Sequence, residues 1–496
     1  MMKQYILAID RGQTSIKAAI TDLNGKIHQV ASTHCEPIQT PHPGFAQQDM
    51  DLIWQQAAFV IRKVLTESDV DAEEISAVSF SGQGGGNFLI DQEGVPTYPG
   101  VLSMDSRHEA LLKKLRKPEK VTIPRTAAFM RWLKDENPAV YERTRWVFGS
   151  KDWIRYCLTD AANVDMSDTP LPVDPVTGKY DTRAFDVLGI PECAEKLPDP
   201  VYASRICGHV TGKAAKKTGL MEGTPVACGA HDMIACSVGA GGRGEGHLAI
   251  IMGTMGINIA VVDRNTILKP VSRPGESFEF CGAVPGQRMA TTSIGSGCNT
   301  MNWFLQLLFR EEMQEARAEH ISVFTLLERK LNYQQPVDLI FQPYLLGTIY
   351  NSNAKAGIFG ISQSTTREDL IQALFQGIAL SMCMEIEKLE ARIRPFDDIW
   401  IVGGGAKSSI WGQMFADILG KKVRTSRSPE VGCRGAAICA GIALGAYTMD
   451  TAPQPVVGHE YTSRRKWHEL YQQQLEVYRK AYIAEEPIWD ELHTIS

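Results

Sequence analysis

The stretch Asp10-Arg11-Gly12-Gln13-Thr14-Ser15-Ile16-Lys17 cuts into an apolar run that begins at Tyr5 and resumes beyond Lys17. Strand interiors reject Asp and Gly, so the chain is expected to turn there. A turn of Gly12, Gln13, Thr14 and Ser15 offers backbone N–H groups and two hydroxyls, with Asp10 behind it and Lys17 beside it. Donors and a cation suit an oxyanion, and a nearby carboxylate suits a metal ion. The scheme recurs in "HLAIIMGTMGINIAVVD", residues 247–263, where Gly253-Thr254-Met255-Gly256 separates two apolar strands. One Gly-Thr turn would say little. Two, each opening one half of the chain, predict duplicated domains facing each other across a cleft.

The elements that must position these turns alternate in type. "ISAVSFSG" (75–82) reads as a parallel-sheet strand before a glycine turn, and "NGK" (24–26) as a hairpin signal. "AAFMRWLKDENPAVYERT" and "DWIRYCLT" read as helices, and "GTPVACGAHDMIACSVGAG" (223–241) as a buried strand, a turn and a helix of small residues. "TREDLIQALFQGIALSMCMEIEKLEARI" predicts one long amphipathic helix, and "DIWIVGGGAKSSIWGQMFADILG" repeats strand, glycine turn and helix. This alternation is the mark of the α/β class. The glycines of "GAGGRGEG" place a domain boundary near residues 240–246, giving domains 1–243 and 244–496. They read as a hinge, not as a dinucleotide fingerprint, because a strand rather than a helix follows them. No G-x-x-x-x-G-K-[ST] occurs, so a bound nucleotide would not sit on a P-loop.

A chain of 496 residues exceeds one ordinary core. A net charge of −6 with scattered basic residues gives no support for nucleic acid or an anionic membrane as the main partner. Met1-Met2-Lys3-Gln4 runs straight into a strand, without the plan of a signal peptide. Apolar stretches are broken before a spanning length. The 11 cysteines are an odd number with no C-x-x-C pair. Structural zinc and a disulfide framework are therefore not expected, and reduced thiols in a cytoplasmic enzyme are.

With both hairpins, "CGAHDM" and "VGGGAKSSIWGQMFADILG" in view, the chain resembles the FGGY carbohydrate kinases, of the actin/hexokinase/Hsp70 ATPase superfamily. "PGFAQQDMDLIW" resembles the family's G-W-x-E-Q-D segment, with Gln47 where Glu is usual. "LSMDSR" resembles W-x-D-x-R, "DWIRYCLTDAANVDMSD" the D-Y-L-x-x-x-L-T-G…T-D-x-S segment, and "FQPYLLG" the later P-Y-L-x-G. The resemblance spans nearly the whole chain in order. It implies two ribonuclease H-like domains with the site in the cleft between them, sugar mainly on the first and ATP mainly on the second.

The resemblance also implies roles. Asp10, Gly12, Gln13, Thr14, Ser15 and Lys17 match the first phosphate hairpin, with Asp10 near Mg²⁺. Gln13 for Thr and Lys17 for Arg are departures, and lysine loses the bidentate fork. Gly253 and Thr254 match the second phosphate loop, where Met255 replaces a Ser. Gly404, Gly405 and Ser408 match the adenosine loop, whose glycines let backbone approach a purine or ribose. Asp232 matches the general base that accepts the sugar hydroxyl's proton, and it could equally cap the helix that follows. His231 would touch substrate or only pack.

Many relatives hold substrate hydroxyls with Gln-Met-His or Gln-Arg-Glu after the third strand; here Gln83 is followed by Gly84, Gly85 and Gly86. Either the pocket is larger, other residues reach in, or the glycines only shape a turn. Asp105 and Arg107 are further candidates for the sugar, or simply a salt-bridged loop. The expectation is an ATP- and Mg²⁺-dependent kinase of a sugar, ketose, polyol or sugar acid, a homodimer by analogy. Its rivals are an actin- or Hsp70-like ATPase with a protein partner and a sensor of kinase fold that no longer turns over.

Overall fold

The computed structural model describes residues 4–115, 121, 123–174, 177–273, 275–331, 333 and 335–495. The chain forms two compact units that are not simple halves. The first takes Met1–Gly241 together with Phe280–Arg288 and Gly432–Gln454; the second takes Gly242–Glu279, Met289–Val431 and Pro455–Ser496. A single cut near 240–246 therefore misses two later segments that fold with the first unit.

The sheet of unit 1 starts from the predicted hairpin, β1 (Tyr5–Arg11) antiparallel to β2 (Ser15–Asp22), which pairs antiparallel with β3 (Ile27–His34). On the other side of β1 lies β4 (Ile75–Gly82), parallel to it and buried at all eight residues. Its apolar residues alternate with small serines, which a strand covered on both faces can bury. Strands β5 (Ile206–His209), β6 (Pro225–Ala227) and β7 (Ala230–His231) complete the order β5-β6-β4-β1-β2-β3, with β7 pairing β4. The buried strand, turn and helix expected over 223–241 are present, with the short strand β7 added between turn and helix. Gly229 between β6 and β7 has φ +75°, and a Cβ there would stand 2.3 Å from Phe80 O. Helix α1 (Met50–Thr66) covers the sheet, its Asp49 cap accepting from Leu52 N–H at 3.0 Å. The helix expected over "AAFMRWLKDENPAVYERT" is broken into Arg125–Glu136 and Pro138–Arg143, because Pro138 pushes Asn137 out of the helical region.

The second seven-stranded sheet repeats the plan. Strand β8 (His247–Met252) is antiparallel to β9 (Gly256–Asp263); with β10 (Phe278–Cys281), β11 (Gln287–Ile294), β12 (Asp398–Val402), β13 (Val423–Ser426) and β14 (Val457–Tyr461) it gives the order β10-β11-β9-β8-β12-β13-β14. As β4 is parallel to β1, so β12 is parallel to β8. The helix Arg367–Arg392 is long and apolar enough to cross a membrane by composition, but 89% of its most apolar window is buried in the protein. It is the core helix of unit 2, packed with Trp411, Phe415 and Tyr471. The fold is α/β with two domains, consistent with the actin/hexokinase-like ATPases.

Candidate active site

In unit 1 the strand register decides which residues meet. Asp10 pairs with Ser81 across β1 and β4, and Ser81 with Ala230 across β4 and β7; on the next rung stand Arg11, Gly82 and His231. All three strands are parallel and end here, at the carboxyl edge where α/β sheets bind ligands. The hairpin tip closes with Gly12 N–H donating to Ser15 O at 3.0 Å, and Cys35 N–H donating to Thr14 O at 2.9 Å. Thr14 is exposed at the tip, and Lys17 lies opposite Asp10. Gln13 Nε2 reaches Met104 Sδ at 3.0 Å. Asp10 accepts from Ser81 Oγ at 2.8 Å, and Gly432 approaches so closely that a Cβ on it would stand 3.5 Å from Asp10 Oδ2.

Asp232 is the first residue of helix α2 (Asp232–Gly239), and its side chain is 43% exposed. Met233 N–H donates to its Oδ1 at 2.7 Å, but the cap position of the helix is His231, so the capping role expected of Asp232 falls to its neighbour. His231 Nδ1 lies 2.8 Å from the same oxygen. Met233 N–H also lies 3.3 Å from His231 Nδ1; the shorter contact takes the proton, which leaves Nδ1 donating to Asp232.

Behind this pair is a buried cluster that the sequence reading left unassigned. Lys151, wholly buried on the helix Ser150–Thr159, holds Asp168 at 3.1 Å, Asp165 at 3.5 Å and Asp152 at 3.6 Å. Burial alone would lower the lysine's pKa, but the three carboxylates raise it above its ordinary value. Arg155 secures Asp152 at 2.6 Å and donates to Cys228 O at 2.9 Å. Asp165 accepts from His231 N–H at 3.0 Å and from Ser167 Oγ. Burial pushes Asp165 up, whereas Asp168, against the pull of its own burial, is held below the usual carboxylate range by Lys151 and His231. The cluster falls in "KDWIR" and "NVDMSD", two segments that carry the family resemblance; it was missed because three carboxylates around one lysine become visible only when strand and helix ends meet.

The three glycines have separate reasons. A Cβ on Gly84 would stand 2.3 Å from His231 Cδ2 and 2.4 Å from Asp168 Oδ1. The space is filled by other residues of the chain, not left empty. Gly85 has φ +76° and donates its N–H to Asp168 Oδ1 at 3.0 Å. A Cβ on Gly86 would stand 2.6 Å from Val101 O. Gln83 N–H donates to Arg11 O at 2.9 Å, and its own carbonyl accepts from Ser150 Oγ at 3.3 Å.

Asp105 and Arg107 form the salt-bridged loop rather than an open contact. Both side chains are 1% exposed and bonded at 2.7 Å. Arg107 also donates to Tyr98 Oη and Gln47 Oε1 and stacks 3.7 Å from the Phe45 ring centroid, while Asp105 accepts from Ala46 N–H at 2.7 Å. The pair thus braces the segment Phe45–Gln47.

In unit 2 the tip between β8 and β9 is tied by Gly253 N–H to Met255 O at 3.2 Å, with Thr254 and Met255 exposed. A helix the sequence reading did not assign, Cys298–Leu308, begins against it: Cys298 N–H donates to Gly253 O at 3.0 Å, and a Cβ on Gly297 would stand 2.9 Å from Thr254 O. The glycine loop after β12 lies beside the same tip, since β12 pairs in register with β8. Gly403, at φ +87°, would bring a Cβ to 2.8 Å from Met252 O, and Gly405 one to 2.5 Å from Met252 Cβ. Gly404 has no such neighbour closer than 4.0 Å. Ser408 is the cap of the helix Ser409–Leu419, its Oγ accepting from Trp411 N–H at 3.3 Å.

The family model described as the N-terminal domain of the FGGY family of carbohydrate kinases matches residues 5–239, and that of the C-terminal domain residues 248–444. The chain is 29% identical to the probable L-xylulose kinase of Haemophilus influenzae, over 88% of this chain and 90% of that protein. It is 28% identical to the L-xylulose/3-keto-L-gulonate kinase of Escherichia coli, over 97% of each. The crystal structure of xylulose kinase from Rhodospirillum rubrum matches with a TM-score of 0.85 at 25% identity, covering 98% of this chain and 100% of that one.

Proposed function

Because the chain belongs to the FGGY family of carbohydrate kinases, we propose that it phosphorylates a hydroxyl of a small ketose, sugar alcohol or sugar acid from ATP, with Asp232 as general base. The observation that carries this reading is the placement of Asp232, a half-exposed carboxylate beside the rung of Asp10, Ser81 and Ala230. Both bonds to its carboxylate fall on Oδ1, which leaves Oδ2 for a substrate proton. The hydroxyl proton passes to that oxygen, the freed oxygen attacks the γ-phosphorus, and the bridging P–O bond breaks to release ADP. Little covalent work is asked of the protein in such a transfer; alignment and a proton acceptor are.

ATP is the phosphate donor of this family. In unit 1 the tip Gly12–Ser15 with Lys17 offers donors suited to phosphates; in unit 2 Gly253 with Thr254 offers the same, and the open face of Gly404 suits an adenosine. Mg²⁺ keeps several waters and takes few carboxylates. Among the described residues no group of three or more His, Cys, Asp or Glu is arranged to hold a metal. The chemistry therefore fits an ion carried mainly by the nucleotide, with Asp10 as its one carboxylate.

The names of relatives direct the substrate search to L-xylulose and 3-keto-L-gulonate first, then xylulose and erythritol. Coupled ADP release over ketoses, polyols and sugar acids tests the reading. One sugar should stimulate ATP use strongly, and ATP use indifferent to every sugar would overturn it.

A further inference from the structure

We propose that His231, backed by Asp168 and Lys151, is a positioning residue that fixes the Asp232 carboxylate for transfer, and that residue 84 must be glycine because this support occupies its side-chain space. The inference rests on the reading of Asp232 as the base. It follows from where the imidazole is held. His231 Nδ1 meets Asp232 Oδ1 at 2.8 Å, and its backbone N–H is tied to Asp165 Oδ2 at 3.0 Å. Its other edge faces the site above Gly84, where Nε2 and Asp168 Oδ1 each lie 2.4 Å from the point a Cβ would occupy. Asp168 is itself pinned by Lys151 at 3.1 Å and by Gly85 N–H at 3.0 Å. The Phe280 ring lies 6.1 Å from the imidazole. The imidazole thus stands beside Asp232 with the anchored Asp168 close by, and cannot swing without losing its contact to Asp232.

The charged groups facing His231 are Asp232, Asp168 and, beyond the latter, Lys151. Burial and Lys151 act against a charged ring, but the two carboxylates outweigh them and raise its pKa above the ordinary histidine value. The contact at Oδ1 orients the carboxylate and so leaves Oδ2 turned to the substrate. After β4 this chain has three glycines, and the polar groups above Gly84 arrive from β7 and from the loop after Asp165.

The test compares three variants of the full chain by coupled ADP release with the best sugar, across pH. His231→Asn should keep KM for ATP within about twofold and lower kcat roughly 10- to 100-fold, the loss expected of a misplaced catalytic group. KM for the sugar should also stay within about twofold, so that the loss falls on kcat. Gly84→Ala should act in the same direction without altering either partner, by displacing His231 and Asp168. Unchanged kcat in either folded variant would overturn the proposal, as would a loss carried by KM at unchanged kcat, which assigns His231 to binding or packing. Should His231→Asn not fold, Gly84→Ala decides by the same readouts. Asp232→Asn separates the two ideas: if it turns over like the parent, the base assignment fails; if it is inactive while the other two are normal, only the positioning role fails.

Discussion

Ser81 Oγ donates to Asp10 Oδ1 at 2.8 Å across two parallel strands, and the same rung continues to Ala230, two residues before Asp232. Neighbouring strands lie about 4.8 Å apart, so the proposed metal-side carboxylate and the root of the proposed base are fixed about two strand spacings from one another. The sheet sets that interval, and no loop has to find it.

Asp232→Asn keeps the shape but removes the proton acceptor. ATP and sugar binding should persist in calorimetric titration while kcat falls about 10²- to 10⁴-fold. Turnover within tenfold of the parent would remove Asp232 from the chemistry.

Gly12→Val tests the first hairpin. A Cβ there meets only Ser15 O, at 3.4 Å, and its φ is not positive, so the fold should tolerate the change. ATP affinity should drop at least tenfold, an order-of-magnitude expectation for blocking donors that position phosphates, with sugar binding unchanged. Equal ATP affinity in a folded variant sinks the hairpin assignment.

Gly404→Ala and Gly405→Ala should separate ligand contact from packing. Gly404 faces open space, so alanine there should weaken nucleotide binding without lowering Tm. A Cβ on Gly405 would collide with Met252 Cβ at 2.5 Å, so that variant should lose stability by about 1–3 kcal/mol. The reverse pattern would place the adenosine elsewhere.

Gly85→His tests whether a side chain at this place meets substrate. With φ +76° at Gly85, a side chain there instead costs about 1–2 kcal/mol of backbone strain. The variant should melt lower. Folded enzyme should retain its sugar KM, and a large rise in KM at unchanged Tm would revive the enlarged-pocket reading.

Stability should carry opposite pH signatures from two neighbours. His231 has a raised folded pKa, so its contribution is complete below the unfolded value of ~6.5 and is lost as pH rises through the folded value. Asp168 has a lowered one; its contribution is present above the unfolded carboxylate value and lost as pH falls through the folded value. Urea unfolding should therefore show a decline above about pH 6.5 that His231→Asn flattens, leaving the acid side in place. A decline that survives the substitution belongs to another group.

The sequence by itself determined the elements and the first-order chemistry. Asp10 and the glycines in apolar runs forced the two tips, because strands exclude them, and the runs around Ile75–Gly82 and Asp398–Val402 read as strands before glycine turns. The order of motifs carried the family. Only the tertiary structure decided which side chains share a place. Nothing local distinguishes Lys151 from a surface lysine until the end of its helix is packed beside Asp165 and Asp168. The glycines at 84–86 look alike in sequence, yet one yields its space to His231 and Asp168, one needs a left-handed backbone, and one is pressed against Val101 O. Asp105 and Arg107, open candidates by type, close on each other because folding removes both from water, and a buried charge left without its partner is costly. Spacing along a chain reports periodicity and turns; which charges face each other depends on strand register and helix packing, contacts between residues far apart in sequence.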